Sequence, residues 1–484
     1  MYPFNVAEFN AGLYYATPEI FLSAAACALL MLDLFLTDSG RRWNGALAVL
    51  AVLVTAVLAA VQPVSGRVVA LGGLYELDRM AQVLKVVTLL SVAVVFVYST
   101  DYLRRRAILK GEYYVLGLFA TVGAMVLISA ANLITLYLGL ELMSLSLYAM
   151  VAFDRDSGIA AESAIKYFIL GSMSSGTLLY GMSIVYGVTG HLELAVIAQL
   201  VHTHFADNIG LIFGIAFMIV GVGFKLGAVP FHMWLPDVYE GSPTCVTVFI
   251  GTASKLAAFA LIMRLLPEAL AGAQTDWSQM LVVISVLSMA VGSIVAIAQT
   301  NIKRMLAYST ISHIGYTLLG VLAGTAQGYQ AAMFYIISYV LVAAGAFGMV
   351  LLLARQGFEA DKITDFKGLN ARSPWFALMM GLLMLSLAGV PPLIGFWAKL
   401  GVIQAVLSVN YTWLGVVAVL FSVVAAFFYL RIVKIMYFEE PTDTTAIGGS
   451  TLVRTVLSAN ALLAIALGVA PGALIALCQH VLPQ

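Results

Sequence analysis

Five ionisable side chains stand inside stretches that otherwise hold almost only apolar and small residues. Glu141 lies in Leu138-Gly139-Leu140-Glu141-Leu142-Met143 and Lys225 in Gly223-Phe224-Lys225-Leu226-Gly227. Lys255 lies in Gly251-Thr252-Ala253-Ser254-Lys255-Leu256, His313 in Ser309-Thr310-Ile311-Ser312-His313, and Lys399 in Gly395-Phe396-Trp397-Ala398-Lys399. A Lys or Asp at the centre of a membrane helix costs about 2.5–3.5 kcal/mol on insertion scales, so several in one chain need a reason. Removal from water favours the neutral form of a charged group, and a nearby opposite charge restores the charged form. A lysine whose carboxylate can approach or withdraw is therefore a switchable proton carrier. The alternative for each lysine is a structural ion pair or a snorkelling side chain, and for His313 a packing histidine. Lys166, Lys85 and Asp33 are weaker candidates. Lys166 stands near a span end, Lys85 is expected to snorkel to the outer surface, and Asp33 lies outside the repeat described below.

The elements that hold these residues follow from composition. The 484 residues are 62% hydrophobic and 10% charged, against roughly 25% charged in a soluble domain, and the net charge is zero. Repeated apolar runs of about 20 residues make this an all-α polytopic membrane protein, since unpaired backbone groups are not tolerated in lipid. About fourteen spans are expected, at 19–37, 44–63, 80–98, 113–129, 131–152, 163–187, 209–240, 242–265, 279–299, 302–324, 328–354, 374–404, 411–437 and 453–477. Basic residues test the count. Arg41 and Arg42, Arg104 to Arg106 and Lys110, Arg155, Lys303 and Arg304, Arg355 to Arg372, and Arg431 to Arg454 fall in alternate loops. The other side receives Arg67, Arg79 and Arg264. The positive-inside rule then puts both termini outside the cytoplasm.

Spans 7 and 12 are too long for one straight crossing, and each carries a proline near its middle. They read Gly227-Ala228-Val229-Pro230 and Ala388-Gly389-Val390-Pro391-Pro392. Proline kinks are common in membrane helices, but two matched breaks five spans apart describe two inverted five-helix repeats. The expected division is 1–112 for helices 1–3, 113–265 for helices 4–8, 279–438 for helices 9–13, and 452–484 for helix 14. The longest polar loop, about 355–373, is too short to build a core, so any redox or nucleotide chemistry would need other subunits.

Other chemistries find little support. Zero net charge suggests no nucleic acid. Cys27, Cys245 and Cys478 are far apart, which argues against an iron–sulfur site or a disulfide framework. Gly221 to Gly227 has the wrong spacing for a dinucleotide loop. His232, Asp237 and Glu240 could bind a cation, but their prolines and aromatics suit an interfacial turn better, and no metal is expected. The opening MYPFNVAEFN lacks the basic region of a cleaved signal peptide.

Gly223-Phe224-Lys225 through Pro230-Phe231-His232-Met233-Trp234-Leu235-Pro236-Asp237-Val238-Tyr239-Glu240-Gly241-Ser242-Pro243 resembles the signature of the antiporter-like membrane subunits of respiratory complex I. Tyr137 to Ser144, Glu162 to Tyr167, Asn301 to Ser309 and Gly389 to Lys399 support the likeness, which covers about residues 15–480. The resemblance implies that Glu141, Lys225, Lys255 and Lys399 match the family's proton-path positions, with Lys166 a further matching lysine. It implies a bacterial inner-membrane subunit of an NADH:quinone oxidoreductase that pumps protons and has no redox site of its own. FMN, iron–sulfur clusters and the quinone reaction would then sit in partner subunits. The expected partners are other membrane-arm subunits, the peripheral-arm redox subunits indirectly, and lipid. The chain stops just after span 14, where the largest such subunit continues into a lateral helix. The alternative is a subunit of a cation/proton antiporter, whose relatives usually read differently after Leu235-Pro236-Asp237. A stand-alone solute transporter and a structural scaffold are weaker readings.

Overall fold

A computed structural model describes residues 12–36, 40–64, 66–205, 208–443 and 445–479. The N-terminal decapeptide discussed above lies outside the described residues. Among the described residues, eleven helices are long and apolar enough to cross a membrane. The other crossings are Thr17–Asp33, Glu112–Ile128 and the pair Pro374–Ala388 and Ile394–Ser408, which completes the expected fourteen. Many spans start on a residue whose side chain accepts from the first helical turn, as Asp78, Asn132, Ser157, Asn208, Asn301, Thr325 and Ser450 do. Such caps satisfy amides that have no partner within the helix.

Spans are numbered in chain order. Span 3 is Arg79–Arg105, span 5 Leu133–Val151, span 6 Gly158–Thr189, span 9 Gln274–Ile297, span 10 Ile302–Leu322, span 11 Ala326–Leu353 and span 13 Thr412–Phe438. Span 4 (Glu112–Ile128) packs closely on span 5 through Gly123 and Gly139, where a methyl group would strike the facing backbone. Gly292 and Gly315 do the same between spans 9 and 10, so the two five-helix units share one mode of close helix approach.

Both expected breaks are present. Span 7 runs as Ile209–Leu226 (7a), a turn, and Trp234–Gly241 (7b); span 12 runs as Pro374–Ala388 (12a), a turn, and Ile394–Ser408 (12b). The first halves end in the same motif. Gly227 and Gly389 take the left-handed conformation, with φ 82° and 88°. The amide of Ala228 returns to Gly223 O at 2.8 Å and that of Val390 to Leu385 O at 3.0 Å. Only glycine adopts this geometry without strain, which explains a glycine among the two small residues before each Val-Pro, Gly227 ahead of Ala228 in span 7 and Gly389 after Ala388 in span 12. A third break was not foreseen. Span 8 divides at Thr252 into Thr244–Gly251 (8a) and Ala253–Met263 (8b), with a short π-helical extension, Arg264–Ala269.

Spans 8, 10 and 11 are almost wholly enclosed (100%, 94% and 94% of an apolar 18-residue stretch in each), whereas the same length of span 13 is only 28% buried. Lys255 of span 8 and His313 of span 10 therefore lie in the interior and cannot reach the bilayer surface. On the face away from the basic loops, an antiparallel hairpin (Val68–Ala70 with Tyr75–Leu77) is tied to the end of span 8. Arg264, fully buried, donates to Glu76 at 3.0 Å, Asp78 at 2.8 Å and Glu268 at 2.7 Å.

Lys85 does not snorkel. It is fully buried, ion-paired with Glu19 of span 1 (Thr17–Asp33), and donates to Tyr75 Oη at 2.7 Å. The carboxylate lies within reach on the neighbouring helix, so the ammonium finds a partner in the interior. Asp33 accepts from Asn44 at 2.5 Å and lies 3.8 Å from Arg41, a local pair at the end of span 1.

Candidate functional site

A helix that ends inside the membrane leaves carbonyls without intrahelical partners and carries the negative end of its dipole there. The breaks in spans 7 and 12 create two such ends, and both are met by a buried ammonium. Lys255 Nζ, reaching from span 8b, donates to Leu226 O at 2.9 Å and Lys225 O at 3.2 Å. Lys399 Nζ, reaching back from span 12b, donates to Ala388 O at 2.8 Å and Ser422 Oγ of span 13 at 2.9 Å. Leu226 and Ala388 hold the same place, immediately before the left-handed glycine. The two lysines are thus equivalent in chemistry although they come from different helices. Each also faces an aromatic ring, Trp234 at 5.3 Å for Lys255 and Tyr316 at 5.2 Å for Lys399. Trp234 closes the first site further by donating its indole N–H to Phe224 O at 2.9 Å.

Lys225 is the penultimate residue of span 7a, so its own carbonyl belongs to the Lys255 site while its ammonium points toward span 5. It donates to Ser144 Oγ at 2.8 Å and Tyr148 Oη at 3.4 Å. Ser144 and Tyr148 follow Glu141 by three and seven residues and share its helix face. Glu141, half-buried, accepts from Ser175 of span 6 at 2.5 Å. No described ion pair joins Glu141 to Lys225; Ser144 and Tyr148 stand along span 5 between them.

His313 is buried in span 10 and has a hydroxyl at each ring nitrogen: Tyr335 Oη at 2.7 Å from Nδ1 and Tyr429 Oη at 3.0 Å from Nε2. Tyr429 continues to Ser309 Oγ at 2.5 Å. Beside the histidine a cavity of about 10 Å³ is lined by Tyr335, Ser338, Tyr339, Ser386 and Gly395 among others, which is room for one water between His313 and the span 12 break. A cavity of the same size beside span 7a, lined by Ile219, Val222, Leu226, Ile262 and Ile284 with their neighbours, is apolar and suited to stay dry.

Lys166 lies apart from this buried line. It is exposed and paired with Glu162 at 2.8 Å and Asp237 at 3.1 Å. Arg304 binds the other oxygen of Asp237 at 2.7 Å and Glu240 at 2.9 Å. Those carboxylates are therefore engaged by cations of the protein itself. Among the described residues, the acidic group compact enough for a metal is Glu76, Asp78 and Glu268, and Arg264 already donates to all three. The cysteines are unpaired and stand on three separate helices, Cys27 in span 1, Cys245 in span 8a and Cys478 in the short helix Gly472–Gln479, a donor set that does not fit an iron–sulfur cluster.

Residues 130–427 match the family model described as NADH:quinone oxidoreductase/Mrp antiporter, transmembrane. A protein named NADH-quinone oxidoreductase subunit N from Thioalkalivibrio sulfidiphilus is 55% identical over 461 residues, 95% of this chain and 96% of the relative. A chain of respiratory complex I from Thermus thermophilus superposes with a TM-score of 0.81 at 30% identity, covering 95% of this chain and 98% of that one. A chain of the Mrp complex from Dietzia sp. gives 0.82 at 22% identity, covering 99% and 97%, a likeness of fold. The chain belongs to the antiporter-like membrane subunit family of the NADH:quinone oxidoreductases, among the proteins named subunit N.

Proposed function

We propose that this chain is the proton-translocating membrane subunit N of a bacterial NADH–quinone oxidoreductase, and that its buried lysines carry the transferred proton. The observation that carries the site assignment is the seating of Lys255 and Lys399 on the freed carbonyls of the two broken helices. A helix C-terminus favours a charged ammonium, and burial opposes it, so each lysine is held between two charge states. A change in neighbouring charge then tips the balance. Glu141 biases Lys225 through the Ser144 and Tyr148 face; Lys225 abuts the carbonyls that hold Lys255; His313, its tyrosines and one water lead toward Lys399. Lys166, with Asp237 and Arg304, stands at the rim as a surface charge cluster. FMN, iron–sulfur clusters and the quinone reaction belong to partner subunits, and both termini lie on the non-cytoplasmic side.

The test is a mild-detergent purification through a tag on this chain, followed by proton uptake per NADH oxidised in vesicles. Co-purifying redox subunits with quinone reductase activity are expected, and Lys225→Ala should lower the proton yield in an assembled complex. A chain that purifies with small membrane partners only, and whose proton flux responds to sodium, is a cation/proton antiporter subunit instead. An unchanged proton yield in assembled Lys225→Ala removes Lys225 from the path.

A further inference from the structure

Glu359 lies in the loop after span 11, apart in sequence from every proton-path residue, yet its carboxylate joins three parts of the molecule. Oε1 accepts from Thr244 Oγ1 at 2.5 Å and lies 3.3 Å from the Thr244 amide, at the first turn of span 8a. The same oxygen accepts from Tyr102 Oη at 2.7 Å, near the end of span 3. Oε2 is ion-paired with Arg106 at 3.2 Å, and Lys303, at the start of span 10, is 3.9 Å from Oε1. Lys303 in turn donates to Ser242 O at 2.9 Å, two residues before Thr244. A carboxylate at a helix N-terminus satisfies free amides and opposes the positive end of the dipole.

The loop is built to present this side chain. Arg355 and Phe358 exchange both backbone hydrogen bonds, at 2.8 and 2.9 Å, around Gly357 with φ 73°. Ala360 follows Glu359 with φ 56°, a left-handed conformation that a residue bearing a Cβ adopts only when its surroundings impose it. Asp361 O then accepts from the Ile302 amide at 2.6 Å, and the Ile363 amide donates to Thr300 O at 2.9 Å, which locks the loop to the start of span 10.

Span 8a is only eight residues long and ends at Thr252, whose φ of −123° and ψ of −84° interrupt the helix three residues before Lys255. A short helix ending at such a break is steered by whatever fixes its other end. We infer that Glu359 is a positioning residue of the proton path: by anchoring the start of span 8a to the N-terminal helices and to the second unit, it sets where Lys255 meets the carbonyls of span 7a. This inference rests on the proposed role of Lys255.

A double-mutant cycle in the assembled complex tests it. Glu359→Ala, Lys255→Ala and the pair are compared for complex assembled, NADH–quinone reductase rate and protons moved per NADH. The expected result is a loss of proton yield in Glu359→Ala, no further loss when it is added to Lys255→Ala, and partial recovery in Glu359→Gln, which keeps the acceptor for Thr244 and Tyr102. Where Glu359→Ala does not assemble, Glu359→Gln in the same cycle decides by the same criterion. A full proton yield in the Glu359 variants, or a loss that adds independently to that of Lys255→Ala, overturns the inference. Should Lys255→Ala itself keep full yield, the proposed proton path fails, whatever Glu359 does.

Discussion

The seat of Lys255 on the span 7 break gives a prediction whose size follows from the contacts. Lys255→Met keeps much of the side-chain volume and removes the donor. Two buried carbonyls, Lys225 O and Leu226 O, then lose the ammonium that satisfies them at 3.2 and 2.9 Å. A buried polar group left unpaired costs about 1–3 kcal/mol, so the break is destabilised by about 2–6 kcal/mol. At about 1.4 kcal/mol per tenfold, local opening becomes more than roughly thirty times more frequent. The Gly227 and Ala228 amides, bonded to Gly223 O at 2.9 and 2.8 Å, report that opening by hydrogen exchange in the peptide spanning the break. Lys255→Arg separates the two roles of the lysine. A guanidinium donates but does not give up its proton, so exchange at the break should stay near the wild-type rate while protons moved per NADH fall. Unchanged exchange in Lys255→Met, or full proton yield in Lys255→Arg, refutes the reasoning.

Other outcomes follow from the same contacts. Glu19→Leu or Lys85→Met alone strands a buried charge and should cost about 3–5 kcal/mol, whereas the double replacement should recover most of the loss; the half-life of the assembled complex on heating measures this, with proton yield per NADH retained. Arg264→Met leaves Glu76, Asp78 and Glu268 together without their shared cation, so complex yield should fall sharply, and Arg264→Lys should not restore it because one ammonium lacks the guanidinium's spread of donors. Asp443, in the loop between spans 13 and 14, is held below the usual carboxylate range by Thr445 and by Arg355 at 2.8 Å. A lowered folded value means that its contribution is complete above about pH 4 and is lost as pH falls through the folded value. Protease cleavage within residues 439–450 should therefore be indifferent to pH near neutrality and increase only in strong acid.

Much of this molecule is legible in one dimension. The spans follow from apolar runs because lipid leaves the backbone no partner but itself. The breaks at Gly227 and Gly389 follow from a proline after a residue that alone turns left-handed without strain, and the isolated charges from their insertion cost. Ser144 and Tyr148 were within reach too, since they repeat Glu141 at helical spacing. What the chain order could not supply is which helix delivers which group. Along the chain each Val-Pro break has a lysine in its own span, Lys225 and Lys399; in space the ammonium groups that lie against carbonyls freed by a helix end are those of Lys255 and Lys399. The partners of His313 come from spans 11 and 13, the partner of Lys85 from span 1, and Glu359 reaches span 8 from a loop more than a hundred residues away. Local sequence records the cost of burying a charge or ending a helix in lipid. The groups that offset that cost are chosen by packing between distant segments, and only the tertiary structure decides them.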